Sequence, residues 1–427
     1  MLAWMKRLDE EVLKTGEFMI RSCGMVLPAR LFMAAAWSFC AASQLWAQTP
    51  LDSGPIRHVA AGSFVFVVKG DGSVVGWGGE ADGLAARARS TTGRVTAPIP
   101  IDLPGKVRQM AVGESAAYAL LEDGTVIAWG ANYEGELGNG GLGSRSTPGI
   151  NPKPSFRPVA VAGLTEVVQV SAAGRHVLAL RKDGTVYAWG SSGTIIAEDP
   201  KKPGVATGPV RIAGLENIVQ VAAARDHNLV LTRDGDVYAW GENTDAQLGL
   251  ETTIYRSARP LKVQGLGRTV SIAASGTGNL ALSGAVRDDG TVWMWGSNQA
   301  ATMGNGLKSG GRGDVGDLNS KPLAVKGVAN ARTISAGDGH VAVLLRDGTL
   351  RLWGHDGWGQ IGIGTHGSYV ESPKKPALTN VAAVYLGNNK SFAVRLDGTV
   401  WRWGGAATYG GGEFTKDQHV PTLTPIP

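Results

Sequence analysis

The apolar positions of this chain recur in one short phrase: a polar Asp-Gly, then an almost unbroken apolar run that closes on Trp-Gly. It reads DGSVVGWG at Asp71–Gly78, DGTVYAWG at Asp183–Gly190 and DGTVWRWG at Asp397–Gly404, with four further copies, seven in all. The closing tryptophans Trp77, Trp129, Trp189, Trp240, Trp295, Trp353 and Trp403 stand about 50 to 60 residues apart, a period that signals an array of units sharing cores with their neighbours. In the third copy Val186 and Ala188 point one way and Tyr187 and Trp189 the other. A strand apolar on both sides belongs to a sheet covered on both faces.

Each unit reads as four short strands. In the third they are Pro158–Val161, Glu166–Ala172, Val177–Leu180 and Thr185–Trp189, the last two joined by Asp-Gly in a two-residue hairpin. Seven such sheets stacked face to face around an axis make an all-β, seven-bladed β-propeller of four-stranded antiparallel blades. Pro-led strands at Pro98, Pro158, Pro209, Pro260, Pro322 and Pro373 are read as opening the unit that follows each of them. The C-terminal strand Pro421–Ile426 then has no unit of its own, and it is expected to close the ring by completing blade 1, which starts at Ile56–Ala61. Glycine, at 62 of 427 residues, fits a chain with many tight turns.

The segments VVQVSAAGRHVLALRKDGTVYAWG (Val167–Gly190) and NYEGELGNG (Asn132–Gly140) resemble the repeat of the chromosome condensation regulator family. The resemblance recurs seven times over residues 56–427 and implies a seven-bladed propeller. One branch of that family exchanges nucleotide on a nuclear GTPase, and a secreted bacterial branch includes a β-lactamase inhibitory protein, so the resemblance implies a protein-binding function. Blades 1, 3 and 7 depart from the family's Asn-x-x-Gly-Gln-Leu-Gly loop, which bears on the partner rather than the fold.

The N-terminus has another character. Met25–Ala47 carries one Arg, an apolar stretch from Leu31 to Ala42 and a small residue at a cleavage position, the build of a secretory signal. The expected division is therefore an extension and signal segment at 1–47, with translation starting at Met25, and a propeller at 48–427 in the periplasm or outside the cell. Cys23 and Cys40, the two cysteines, precede the cut, so the mature chain has no thiol for a disulfide, a nucleophile or a metal. The net charge of +5 is mild, and without a Lys/Arg run a nucleic-acid partner is not expected. Nor is a cofactor, a metal or stable membrane insertion.

In an up-and-down blade the turn between the second and third strands and the loop after Trp-Gly emerge on one face, opposite the Asp-Gly turns. Variable loops on a rigid scaffold are the usual carriers of recognition. The turns contribute the charged candidates Glu114, Arg175, Arg225, Asp226, Asp338 and Lys390, with Phe64 in the first turn and Asn279 in the longer fifth. His176, His227 and His340 recur at one repeat position, where they serve either as contacts or as turn structure. Tyr133, Phe156, Tyr255, Trp358 and Tyr409 lie in long loops where no core position calls for an aromatic, and exposed aromatics anchor interfaces.

Linear catalytic motifs are missing: there is no HExxH, no GxSxG and no Walker loop, since GNNKS at Gly387 lacks the second glycine. The expected function is a monomeric, exported, protein-binding propeller that is not an enzyme, with inhibition as one outcome. A propeller lyase or hydrolase, or a carbohydrate binder using the same face, is the alternative.

Overall fold

Asp-Gly builds its turn with only one residue in the left-handed region. The computed structural model describes residues 17–19, 26–28, 56–79, 84–86, 94–142, 155–191, 205–250, 254–276, 280–307, 318–405, 418–424 and 426. In blade 3 the Arg181 N–H donates to Thr185 O (2.9 Å) and the Gly184 N–H to Arg181 O (2.9 Å). Gly184 has φ +80° while Asp183 is not among the positive-φ residues. The connection is thus a type I turn ending in a glycine bulge, not the two-residue hairpin expected, because the aspartate has other work. Asp183 Oδ1 accepts both the backbone N–H (3.0 Å) and the hydroxyl (2.6 Å) of Thr185. Those two bonds, hydroxyl first, hold its carboxyl below the ordinary carboxylate range.

Seven four-stranded antiparallel sheets follow, each of four consecutive strands, with no α-helix among the described residues. Blade 3 runs Val167–Ala173, His176–Arg181, Val186–Ser191 and Val205–Arg211 from the inner edge outward. The Pro-led strand therefore ends a unit instead of opening the next: Ser155–Ala160, with Pro158, pairs with Val126–Gly130 of blade 2. The reason is chemical. Proline lacks an N–H and is tolerated at a sheet edge, and Pro98, Pro158, Pro209, Pro260, Pro322, Pro373 and Pro421 all lie in outermost strands, where they also blunt edge pairing.

The C-terminal strand obeys the same rule. Gln418–Thr424 pairs with Val400–Gly404 (Trp401 opposite Leu423) and is the outer strand of blade 7, so the expectation that it completes blade 1 is corrected. Blade 1 is complete in itself, from Ile56–Ala61, Phe64–Lys69, Val74–Gly79 and Arg94–Ile101. The ring closes by packing. Phe392 of blade 7 lies against Trp77 (centroids 6.4 Å), Tyr385 meets His58 edge-on (4.9 Å), and Lys390 Nζ donates to Gly62 O (3.3 Å).

Neighbouring blades are joined by two further devices. The core lies between sheets, where Leu137, Trp189, Val221 and Trp240 share one cluster drawn from blades 2, 3 and 4. Nearer the axis, side-chain amides stitch inner strand to inner strand. Gln109 donates to Val170 O and accepts from its N–H, Gln169 does so with Val221, and Gln220 with Ile272, each bond 3.0 Å.

Contacts divide the chain into Met1–Thr49 and Pro50–Pro427. In the first unit the structure describes one antiparallel pair, Glu17–Met19 with Val26–Pro28. The apolar stretch 31–42, both cysteines and the cleavage position at Ala47 lie outside the described residues. Among the described residues no helix is long and apolar enough to cross a membrane.

Candidate functional site

Trp-Gly is the hinge between the packed blade and the variable face. Gly190 has φ +100°, and a Cβ there would collide with Arg175 O. The next residue's N–H, that of Ser191, donates to Arg175 O at 2.9 Å. The same bond recurs from Ala131 to Ser115, Glu242 to Asp226, His355 to Gly339 and Gly405 to Asn389. The turns and the post-Trp-Gly loops are thereby tied to one end of the blades, as expected, and the Asp-Gly turns occupy the other.

The loops have a common skeleton. Its first residue bends back, so that Asn132, Asn243, Asn298 and Asp356 accept through Oδ1 the N–H of Leu137, Leu248, Met303 and Ile361 (2.9 to 3.1 Å). Its fifth residue gives a backbone carbonyl to the next blade's tryptophan: Trp189 donates to Glu136 O, Trp295 to Gln247 O, Trp353 to Thr302 O and Trp403 to Gln360 O (2.7 to 2.9 Å). Buried indoles need such partners. The third residue gives its N–H to the fifth residue's side chain in blades 2, 4 and 6, while its own side chain, Glu134, Asp245, Ala300 or Trp358, differs between blades.

The candidates separate by burial. Phe64, His227 and His340 are 0% exposed and His176 1%, so these four lie outside any contact surface, a correction to their reading as contacts. Phe64 packs on Phe66, with centroids 4.9 Å apart. The histidines fasten one blade to the next: His176 Nε2 bonds Asn228 Oδ1 (2.8 Å), His227 Nε2 bonds Ser283 Oγ (2.9 Å) and His340 Nε2 bonds Ser391 Oγ (3.2 Å). Burial lowers their pKa to about 4 for His176 and about 3 for the other two, so they stay neutral near pH 7.

Aromatic and charged loop residues remain at the surface. Tyr255 is 71% exposed and Trp358 41%, whereas Tyr133 is half-buried. Arg225 is exposed, Asp226 and Asp338 are half-buried, and Lys390 is half-buried and engaged with blade 1. Burial pushes the Asp226 carboxyl up; the Arg225 charge pulls against it, and Glu114 adds to the rise. Asn279, Tyr409 and the side chain of Phe156 lie outside the described residues.

Arg175 is a partly buried cation of this face that meets two carboxylates. Its Nη1 meets Glu134 Oε1 at 2.8 Å and its Nε faces Glu114 Oε2 at 3.6 Å. Partial burial works against the guanidinium charge, but the bond to Glu134 and the fields of Glu114, Glu134 and Glu136 outweigh it and hold the pKa above its ordinary value. Sequence reasoning passed over Glu134 and Glu136, which look like variable loop letters until the fold sets them beside Arg175. It also passed over Tyr369, which opens the outer strand Tyr369–Lys374, and Leu307, in the loop after Trp-Gly of blade 5, both exposed. Among the described residues no group of three or more His, Cys, Asp or Glu side chains is arranged to hold a metal ion.

A family model described as the RCC1-like domain matches residues 142–426, and one for the regulator of chromosome condensation (RCC1) repeat matches residues 107–136. The chain is 31% identical over 364 residues to the guanine nucleotide exchange factor SRM1 of Saccharomyces cerevisiae, with 74% of each chain covered. It is 30% identical over 346 residues to protein pim1 of Schizosaccharomyces pombe, covering 74% of this chain but 62% of pim1, so it spans less than two thirds of that relative. Among solved structures, yeast RCC1 (Prp20) with Kap60 bound superposes with a TM-score of 0.70 at 24% identity over 90% of this chain and 87% of that one, a likeness of fold. With seven Trp-Gly blades in place and both repeat models matched, the chain belongs to the RCC1-like family of regulator of chromosome condensation repeat proteins.

Proposed function

We propose that this chain is an exported, monomeric protein-binding propeller that engages a cell-envelope or extracellular protein through the face carrying the turns and the post-Trp-Gly loops, with inhibition as one outcome. The observation that carries the reading is the concentration of exposed loop aromatics, Tyr255 and Trp358, on the end of the blades whose connections differ from one another. Aromatic anchors surrounded by polar rim residues are the usual hot spots of protein interfaces. Relatives whose names speak of exchange factors, and one solved with Kap60 bound, support binding to protein as the family's mode of action. Export rests on the signal-like Met25–Ala47. The wild-type chain, used as bait on periplasmic and culture fractions, is expected to retain a protein that Tyr255→Ala with Trp358→Ala loses. Glu216→Gln, at the opposite end, is expected to keep it. Equal retention by all three baits would refute the reading.

A further inference from the structure

The seven histidines of the chain divide by what their rings meet. His58, His176, His227 and His340 are buried, and His355 Nδ1 accepts from Gln360 Nε2 at 2.8 Å. The other two meet each other. His366, exposed in the loop after Trp-Gly of blade 6, and His419, half-buried in the outer strand of blade 7, have ring centroids 4.3 Å apart and planes inclined by 36°. Two contacts set His419 in place: its O accepts the Gly364 N–H at 2.7 Å, and its ring lies so close over Gly359 that a Cβ there would collide with it. The exposed His366 can turn a ring nitrogen toward an ion seated against His419. A metal ion held by two imidazole nitrogens at about 2.1 Å and roughly a right angle brings the ring centroids to about 4.5 Å, close to the spacing of this pair.

The loop beneath carries a charge that its shape does not require. Its first residue, Asp356, is 1% exposed and accepts the Ile361 N–H through Oδ1 at 2.9 Å. In the sister loops asparagine does the same work, at Asn132, Asn243 and Asn298. Burial pushes the Asp356 carboxyl up, while the Ile361 N–H and the fields of His419 and His366 pull it down. Both imidazoles therefore lie in the field of one sheltered carboxylate, and a cation between them would lie in it too.

We propose that His366 and His419 form a two-imidazole seat for a divalent transition-metal ion of the copper, nickel or zinc kind, which pins the outer strand of blade 7 to the loop of blade 6. Imidazole suits these ions but brings no charge of its own, so the negative field that steadies the cation comes from Asp356. Among the described residues no third His, Cys, Asp or Glu is arranged to join the pair, and water completes the coordination. The seat departs from the expectation of no metal, which weighed cysteines and linear motifs and not a pair assembled from two blades. It is independent of the protein-binding reading of the face.

Calorimetric titration of Cu²⁺, Ni²⁺ and Mg²⁺ into the whole chain at neutral pH tests it. Cu²⁺ and Ni²⁺ are expected to bind, Cu²⁺ the more tightly, and to raise the thermal midpoint, whereas Mg²⁺ does neither. His366→Ala and His419→Ala should each weaken Cu²⁺ binding by roughly tenfold or more, at least what losing a supporting partner of a metal ligand costs. Asp356→Asn, which installs the residue of the sister loops, should weaken it several-fold with no loss of fold, and His355→Gln should leave it unchanged. Uptake by the thiols of Cys23 and Cys40 is common to every variant and cancels in the comparison. If His419→Ala loosens the strand, the exposed His366→Ala carries the test alone. Cu²⁺ binding unchanged in both alanine variants, an equal loss in His355→Gln, or a midpoint that Mg²⁺ raises as much as Cu²⁺ would overturn the seat.

Discussion

His58, His176, His227 and His340 carry no charge in the folded ring, and the pH dependence of stability follows from that. Burial, the largest cause for each, lowers His58 and His176 to about 4 and His227 and His340 to about 3. The unfolded chain takes up these protons below about pH 6.5, which the folded chain resists until it reaches the lowered values. Stability is therefore full above pH 6.5 and falls as pH drops toward 4, by roughly 3 kcal/mol per buried histidine at most. Thermal midpoints recorded between pH 8 and 4 check this, and the curve of His227→Gln should be flatter than wild type. Glu136 works in the opposite sense. Burial raises its carboxyl, so its contribution is complete below the unfolded value and is lost as pH rises through the folded one. Glu136→Gln should raise the midpoint at pH 7 and lose that advantage near pH 4. Neither effect was legible in the sequence, where His176, His227 and His340 show only a shared repeat position, His58 stands apart from them in an inner strand and Glu136 reads as a loop residue.

At the scale of the strand and its turn, the sequence was legible where chemistry is local and misleading where pairing decides. Asp-Gly marked the turn between the second and third strands of every blade and Trp-Gly every loop start, because a left-handed glycine is a requirement of the backbone itself. Gly190→Ala should cost about 2 kcal/mol or more, through both its positive φ and the clash with Arg175 O, and chemical denaturation measures the loss. The assignment of the Pro-led strand to a blade was not legible. Succession along the chain is the same whether Pro158 opens blade 3 or closes blade 2, and only the pairing of Ser155–Ala160 with Val126–Gly130 separates the two. The proline was the available clue, since a missing N–H fits an outer edge. The loop residues divided on the same ground: exposure at Tyr255 and Trp358 followed from loops without core duties, whereas the burial of Phe64 follows from a strand that begins at that residue.

For the whole ring, the corrected strand order moves the vulnerable point from the C-terminus to the seam between blades 7 and 1. Phe392, 2% exposed, shares a core cluster with Trp77, Phe66 and Val68 of blade 1. Phe392→Ala should cost about 3 to 5 kcal/mol, as for a fully buried aromatic. Removal of residues 418–427 strips one outer strand from blade 7 and takes Ile426 off the margin of that cluster but leaves the contact of Phe392 with Trp77, so the ring should remain closed while Val400–Gly404 gains an open edge. The truncated chain should associate more readily yet keep its tryptophan environment, which light scattering and tryptophan fluorescence separate. The face above the ring is where the account is most exposed to refutation. Hydrogen exchange of the captured complex against the free chain tests it most directly: slowed exchange should fall on 113–115, 132–142, 174–175, 243–255 and 356–369, and leave the Asp-Gly turns at 123–124, 183–184 and 347–348 unchanged. Slowing at those turns, with the loop face unaffected, would contradict it.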